Sequence, residues 1–179
     1  DHVFGFDDLR PYTNRMAEPM PVWASPGTVQ ALRRVFDYLD RPPIPGTSQA
    51  RIALHTAEAP FDFHGVRCTP LPATHGSADM IGWKIERDGR AFAAIPDCKS
   101  LPPETMALCR GVDLVAIDAL RIRPHPTHMN FDEASAALRQ IAARRSLVIH
   151  LCHEVSHAQA ERLLPDGMAP AYDGLQIDL

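Results

Sequence analysis

No apolar run in this chain approaches the roughly 20 residues that a membrane-spanning helix needs, so none is expected. The four cysteines, at positions 68, 98, 109 and 152, form no Cys-x-x-Cys pair and no tight cluster. That spacing implies neither a zinc ribbon nor a disulfide framework and fits reduced thiols in a cytoplasmic protein. Basic residues are not in excess: 18 Lys and Arg against 22 Asp and Glu give a formal net charge of −4. With no basic footprint, nucleic acid is not favoured as a partner. Repeats, low-complexity tracts and a secretory signal are also missing. What is abundant is apolar material, 45% of 179 residues, enough to give one ordinary domain spanning 1–179 a sizeable core. Histidine is abundant too. Five of the nine fall between positions 125 and 157, a density that points to metal or proton chemistry.

Short strand-like runs alternate with amphipathic helical ones, the pattern of an α/β protein. Residues 21–24 predict a strand, and Ser25-Pro26 supplies an N-cap followed by a proline at the first helical position. Val29, Leu32, Phe36 and Leu39 then form one apolar stripe on a helix that stops before Pro42-Pro43. Short strands are expected over residues 51–71, with Val66, Cys68 and Leu71 as candidate buried positions. A hairpin comes next, 81–86 and 91–95, turning at Asp88-Gly89. The apolar run 112–117 ends in Asp118. Asn130 caps a helix with Asp132 and Glu133 in its first turn and Ala134, Leu138 and Ile141 on one face. A strand at 147–149 delivers His150, residues 156–164 form a last helix, and 175–179 a final strand.

The chemistry-bearing residues sit where these runs stop. His75 ends one strand-like run and is followed by Gly76, Asp97 comes directly after another, and His150 after a third. Ligands at three strand ends suit a metal on a sheet rim, because strands fix the donors while loops leave the ion accessible. Asp1-His2 adds a carboxylate and an imidazole, a donor set for zinc, manganese or iron. Because the chain opens on these two ligands and the apolar Val3-Phe4, without a starting Met, we expect a missing upstream segment. Between Arg121 and Asn130, Pro124 and Pro126 stiffen a loop that carries His125 and His128 ahead of a helix. A histidine there can act as a general acid or donate to a phosphate oxygen. Arg121, Arg123 and His125 can equally form a solvated loop, and Cys152 reads as a small buried residue.

In order along the chain, these residues resemble the metallo-β-lactamase-fold hydrolases. Within them the chain looks most like the phosphoribosyl 1,2-cyclic phosphate phosphodiesterase branch, accessory to carbon–phosphorus lyase. Asp1-His2 match the last two residues of the family's H-x-H-x-D-H motif, and Gly5 to Pro11 its continuation. His75, Asp97 and His150 match later ligand positions, while Asp118-Ala119-Leu120, His125-Pro126-Thr127-His128 and residues 171–175 are more branch-specific.

The resemblance implies an αββα sandwich of four layers, incomplete at its N-terminus, and two divalent transition metals, manganese or zinc or iron. Asp97 would bridge them, Asp1, His2 and His150 would complete one shell, and His75 would belong to the other. His153 matches the position of a ligand to a separate structural zinc. The implied reaction is hydrolysis of a small cyclic phosphodiester by a water activated between the two metals. Asp1 would orient that water, and His128 would stabilise the phosphoryl oxygens or protonate the departing oxygen. A homodimer is consistent with the family. The alternatives are a tRNA 3′-processing or cyclic-nucleotide hydrolase of the same fold, or a non-catalytic metal-binding member like the pyrroloquinoline quinone biosynthesis protein.

Overall fold

The structure is a computed structural model in which residues 2–42 and 44–179 are described. The chain divides into two compact units, Asp1–Glu58 and Ala59–Leu179. No helix is long and apolar enough to cross a membrane, among the described residues.

In the first unit a 3-10 turn at Phe4–Leu9 leads into one helical turn, α1 (Arg10–Thr13). Strand β1 (Met20–Ala24), helix α2 (Pro26–Val35), a second 3-10 turn at Asp37–Asp40 and strand β2 (Ile52–Thr56) complete it. β1 and β2 pair in parallel, Val22 opposite Leu54. The start of α2 is the predicted one: Ser25 Oγ accepts from the Thr28 N–H at 3.2 Å, and Pro26 occupies a position whose N–H would lack a helical partner anyway. Its end comes earlier than the apolar stripe suggests. Phe36 leaves helical geometry at φ −113°, ψ 47°, and the remaining stripe residue Leu39 is carried on the tighter 3-10 turn.

The second unit is a seven-stranded mixed sheet in sequential order: β3 (Phe61–Phe63), β4 (Val66–His75), β5 (Ala78–Arg87), β6 (Arg90–Ile95), β7 (Leu114–Asp118), β8 (Arg145–Ile149) and β9 (Met168–Pro170). Neighbours from β3 to β6 are antiparallel, and from β6 to β9 parallel. The β5–β6 hairpin turns on Asp88 and Gly89, whose φ values of 51° and 74° are those of a type I′ turn. The parallel connections carry α3 (Pro103–Cys109), α4 (Phe131–Ile141) and α5 (His157–Leu163). Ala134, Leu138 and Ile141 of α4 share one buried cluster with Ala93, Ile95, Val115, Ile117 and Val148 of the sheet. Burial of each larger side chain there contributes about 1.5–3 kcal/mol. β7 is buried at all five positions, as expected of a parallel strand with neighbours on both sides and cover on both faces.

Strand direction decides where the sheet can present functional groups. β4 is antiparallel to β5 and β5 to β6, so β4 runs with β6, β7 and β8. The C-terminal ends of all four strands therefore open on one rim. One expected element does not form: residues 175–179 are not a strand. Their alternation defines two faces but supplies no ladder partner, and the place beside β8 is taken by Met168–Pro170.

Candidate metal centre

Four residues leave this rim from four strand ends. His75 closes β4, Asp97 follows β6 by two residues, Asp118 closes β7 and His150 follows β8. The loops beyond them are joined by backbone hydrogen bonds, which fix the rim. Thr74 N–H donates to Ser100 O at 3.0 Å, Met129 N–H to Cys98 O at 2.8 Å, Leu120 N–H to Met129 O at 2.9 Å, and Cys152 N–H to Leu120 O at 3.0 Å. His128 enters from the loop before α4, whose start is held by a reciprocal capping box. Glu133 N–H donates to Asn130 Oδ1 and Asn130 N–H to Glu133 Oε2, each at 2.9 Å.

Asp97, Asp118, His128 and His150 each place one ligand atom within 4.8 Å of the others. Donors bound at about 2.0–2.2 Å to one ion lie up to about 4.4 Å apart, so small side-chain shifts suffice to close the set on a cation. His150 Nε2 is 3.0 Å from Asp97 Oδ1, and His150 Nδ1 is 3.9 Å from Asp118 Oδ1. The His150 ring stacks on that of His128, centroids 4.9 Å apart and planes at 13°. His150 holds this position with φ at 66°, a left-handed conformation uncommon for a residue with a Cβ and one found disproportionately at functional sites.

Asp118 is wholly buried. Burial, reinforced by the charge of Asp97, pushes its carboxyl up to about 7, against the opposing effects of the Cys98 N–H, His150 and His75. One oxygen, Oδ2, accepts from the Cys98 N–H at 2.9 Å and lies 2.7 Å from His128 Nδ1. The other, Oδ1, is buried without a hydrogen-bond partner among the described residues. A buried, under-bonded carboxylate oxygen beside a second carboxylate and two imidazoles fits a divalent cation, which would offset both the desolvation and the like-charge repulsion. His75 is oriented for the same rim. Its Nδ1 is 2.9 Å from Thr127 O and donates to it, which leaves the Nε2 lone pair for a ligand bond. The His75 ring centroid is 4.6 Å from that of His128.

The sequence marks His75, Asp97, His128 and His150, and the structure gathers all four. Asp1 lies outside the described residues, and His2 is exposed in the first unit. His153 is exposed on a turn after His150 and is not part of the clustered donors. Asp118 is absent from the sequence-based ligand set although it carries the same signal as Asp97 and His150, a polar residue closing an apolar strand. In the loop, Arg123 is exposed and bonds Glu154. Arg121 is largely covered, donating to Arg123 O and Pro124 O at 3.3 and 3.0 Å. Both arginines thus brace the loop. Cys152 is half-buried.

A sheet rim that collects Asp and His donors from successive strand ends is a candidate metal centre on an α/β scaffold. Residues 1–151 match the model of the β-lactamase superfamily domain, and the chain belongs to that family. A diphosphatase of the PhnP family has a similar crystal structure, with 28% identity and a TM-score of 0.85, covering 98% of this chain and 66% of that one. Zinc-bound PqqB from Methylobacterium extorquens shares the fold at 21% identity and a TM-score of 0.67, over 93% of this chain and 67% of that one. An octanoyltransferase from Porphyromonas gingivalis (strain ATCC BAA-308 / W83) is 30% identical over 179 residues, 98% of this chain. The chain spans only 35% of that relative's length.

Proposed function

We propose that this chain hydrolyses a small phosphodiester, with a cyclic ribose phosphate such as phosphoribosyl 1,2-cyclic phosphate as the first substrate to test, and that Asp97, Asp118, His150 and His75 hold two divalent cations. The observation that carries this reading is the Asp118–His128 pair, 2.7 Å apart and set among the metal-type donors rather than away from them. The likeness to a diphosphatase supports phosphoryl chemistry over other hydrolyses. Divalent cations bound there supply Lewis acidity toward a phosphoryl oxygen and lower the pKa of a water.

The chain's own residues do the rest. Asp118 holds the His128 ring through Nδ1, which leaves Nε2 as the ring nitrogen turned away from that carboxylate. An imidazolium at that position has a buried counter-charge in Asp118, and its Nε2–H donates to a phosphoryl oxygen as negative charge accumulates on it. The same group then returns a proton to the departing oxygen. The Thr127 carbonyl keeps His75 in the tautomer whose Nε2 can bind a cation. Manganese or zinc fits the mixed carboxylate and imidazole donors.

The test is a substrate panel on the metal-reconstituted chain: phosphoribosyl 1,2-cyclic phosphate, a 2′,3′-cyclic nucleotide, a dinucleotide diphosphate and an octanoyl thioester. We expect turnover of one or more phosphorus substrates and a fall in kcat of about 10²–10⁴-fold in His128→Ala with metal content retained. Thioester turnover alone would overturn the reading, and an unchanged kcat in His128→Ala would remove that residue from the chemistry.

A further inference from the structure

Resting on the reading of the rim as a metal centre, we infer that Lys99 is a positioning residue for it. The Lys99–Glu133 ion pair clamps the segment that carries Asp97 to the segment that carries His128, and affinity for a divalent cation depends on that clamp. Lys99 Nζ donates to Glu133 Oε1 at 2.6 Å. Both residues lie outside the four clustered donors, Lys99 shortly after Asp97 and Glu133 in the first turn of the helix that follows His128.

The backbone shows why a clamp matters here. Residues 97–100 run between the end of β4 and the loop before α4. On the β4 side the attachment is double: Lys99 N–H donates to Thr74 O at 2.6 Å, and Thr74 N–H to Ser100 O at 3.0 Å. On the α4 side Met129 N–H donates to Cys98 O at 2.8 Å. One hydrogen bond fixes a separation but tolerates a wide range of angles, so the two segments can pivot about it. Asp97 and His128 are the immediate neighbours of Cys98 and Met129, and a pivot there changes the spacing of the two donors directly. A further link, in which Asp118 Oδ2 takes both the Cys98 N–H and His128 Nδ1, runs through a donor that itself shifts as the set closes on an ion. The Lys99–Glu133 pair supplies an attachment that does not depend on the donors.

The two oxygens of Glu133 divide two tasks. Oε2 accepts from the Asn130 N–H and holds the start of α4, while Oε1 takes Lys99. Removing Lys99 therefore leaves the capping box in place. The pair is partly exposed, 27% for the Lys99 side chain and 40% for that of Glu133, so its contribution to folding stability is small. Metal binding is more sensitive, because a cation tolerates donor displacements of only a few tenths of an ångström. The charge of Lys99 makes the sign decisive. That charge is felt on this rim, where it acts on His125. By its field alone, removing Lys99 would strengthen the binding of a cation, whereas losing the clamp weakens it.

The experiment is competition titration of the chelator-treated chain with manganese and with zinc against a fluorescent chelator. It compares the wild type, Lys99→Met, Lys99→Arg, Glu133→Gln and the double variant of Lys99→Met with Glu133→Gln, with melting and far-ultraviolet circular dichroism on the same samples. We expect Lys99→Met to weaken metal binding about tenfold and to lower the metal-free Tm by no more than about 4 °C. Lys99→Arg should recover most of the affinity. Glu133→Gln, which keeps one acceptor for the Asn130 N–H, should lose about as much as Lys99→Met, and the double variant no more than either, as two halves of one contact require. In long-range proton–nitrogen spectra of the zinc-loaded chain, the His128 ring nitrogens should shift in Lys99→Met and return in Lys99→Arg. Equal or tighter metal binding in Lys99→Met, or additive losses in the double variant, would overturn the clamp while leaving the metal centre standing. A Lys99→Met chain that does not fold would make the pair a stability element and overturn the clamp as well. A wild type that binds neither ion would overturn the metal centre itself, and the clamp with it.

Discussion

Asp118 is the residue on which the site's electrostatics turn, because it is the one carboxylate of the cluster with no exposure at all. Its acid constant makes a prediction with a definite sign. Unfolded, the group ionises near its ordinary 3.8, and folded near 7, chiefly because burial disfavours the charge. Between those values the native protein retains a proton that the unfolded chain has released. The stabilisation is therefore fully present below about 3.8 and is lost as the pH rises through about 7. For chelator-treated protein we expect the urea midpoint to fall between pH 5 and pH 7.5, and to fall less in Asp118→Asn, which cannot ionise. Parallel pH profiles for the two proteins would show that the carboxyl is not held protonated by its surroundings. Asp118→Asn should also lower kcat by at least tenfold on whichever substrate the panel identifies, because His128 would lose the anion beneath its ring.

At the scale of elements, the parts that could be read in the sequence are those governed by local chemistry. Asn130 with Glu133 three residues later spells out the α4 capping box, Ser25-Pro26 the start of α2, and Asp88-Gly89 the hairpin turn. Asn130→Ala should cost about 1 kcal/mol by denaturant titration, and a null result would mean that Glu133 and tertiary packing hold α4 without the cap. The pattern of residues 175–179 misleads because alternation says nothing about which strand is available to pair. The site is partly legible for the same reason. A polar residue after an apolar strand marks a rim position, which is how His75, Asp97 and His150 stand out, but only the parallel order β6-β7-β8 puts Asp118 between the other two. Close packing beneath the rim is invisible in sequence altogether. A Cβ at Gly82 would lie 2.5 Å from Ala94 O and 2.7 Å from Ile95 Cγ1, two residues ahead of Asp97. We expect Gly82→Ala to destabilise by about 1–3 kcal/mol and to weaken metal binding as well, read by melting and by metal titration of the same sample.

For the whole molecule, the consequence is that stability and metal binding are linked. The clustered donors all belong to Ala59–Leu179, and the strands that carry Asp97, Asp118 and His150 contribute Ala93, Ile95, Val115, Ile117 and Val148 to its buried cluster. Above about pH 7, where Asp118 has lost its proton, closing Asp97 and Asp118 on a cation removes a repulsion between carboxylates that the fold itself imposes, and the unfolded chain has no such repulsion to relieve. A cation that binds the native state alone stabilises it by about 2.7 kcal/mol at a free concentration one hundred times its Kd. For a chain of this length that corresponds to a rise in Tm of about 5–11 °C. We therefore expect manganese or zinc to raise the Tm of the chelator-treated protein by that amount, reversibly, and magnesium to do much less because the donors include imidazoles. Asp97→Ala separates this linkage from general salt effects. Without one of the two opposed carboxylates the metal-free variant should melt at or above the metal-free wild type, yet gain little from added metal. If its Tm instead rises with metal as far as the wild type's does, the cation is bound elsewhere and the rim is not the metal centre.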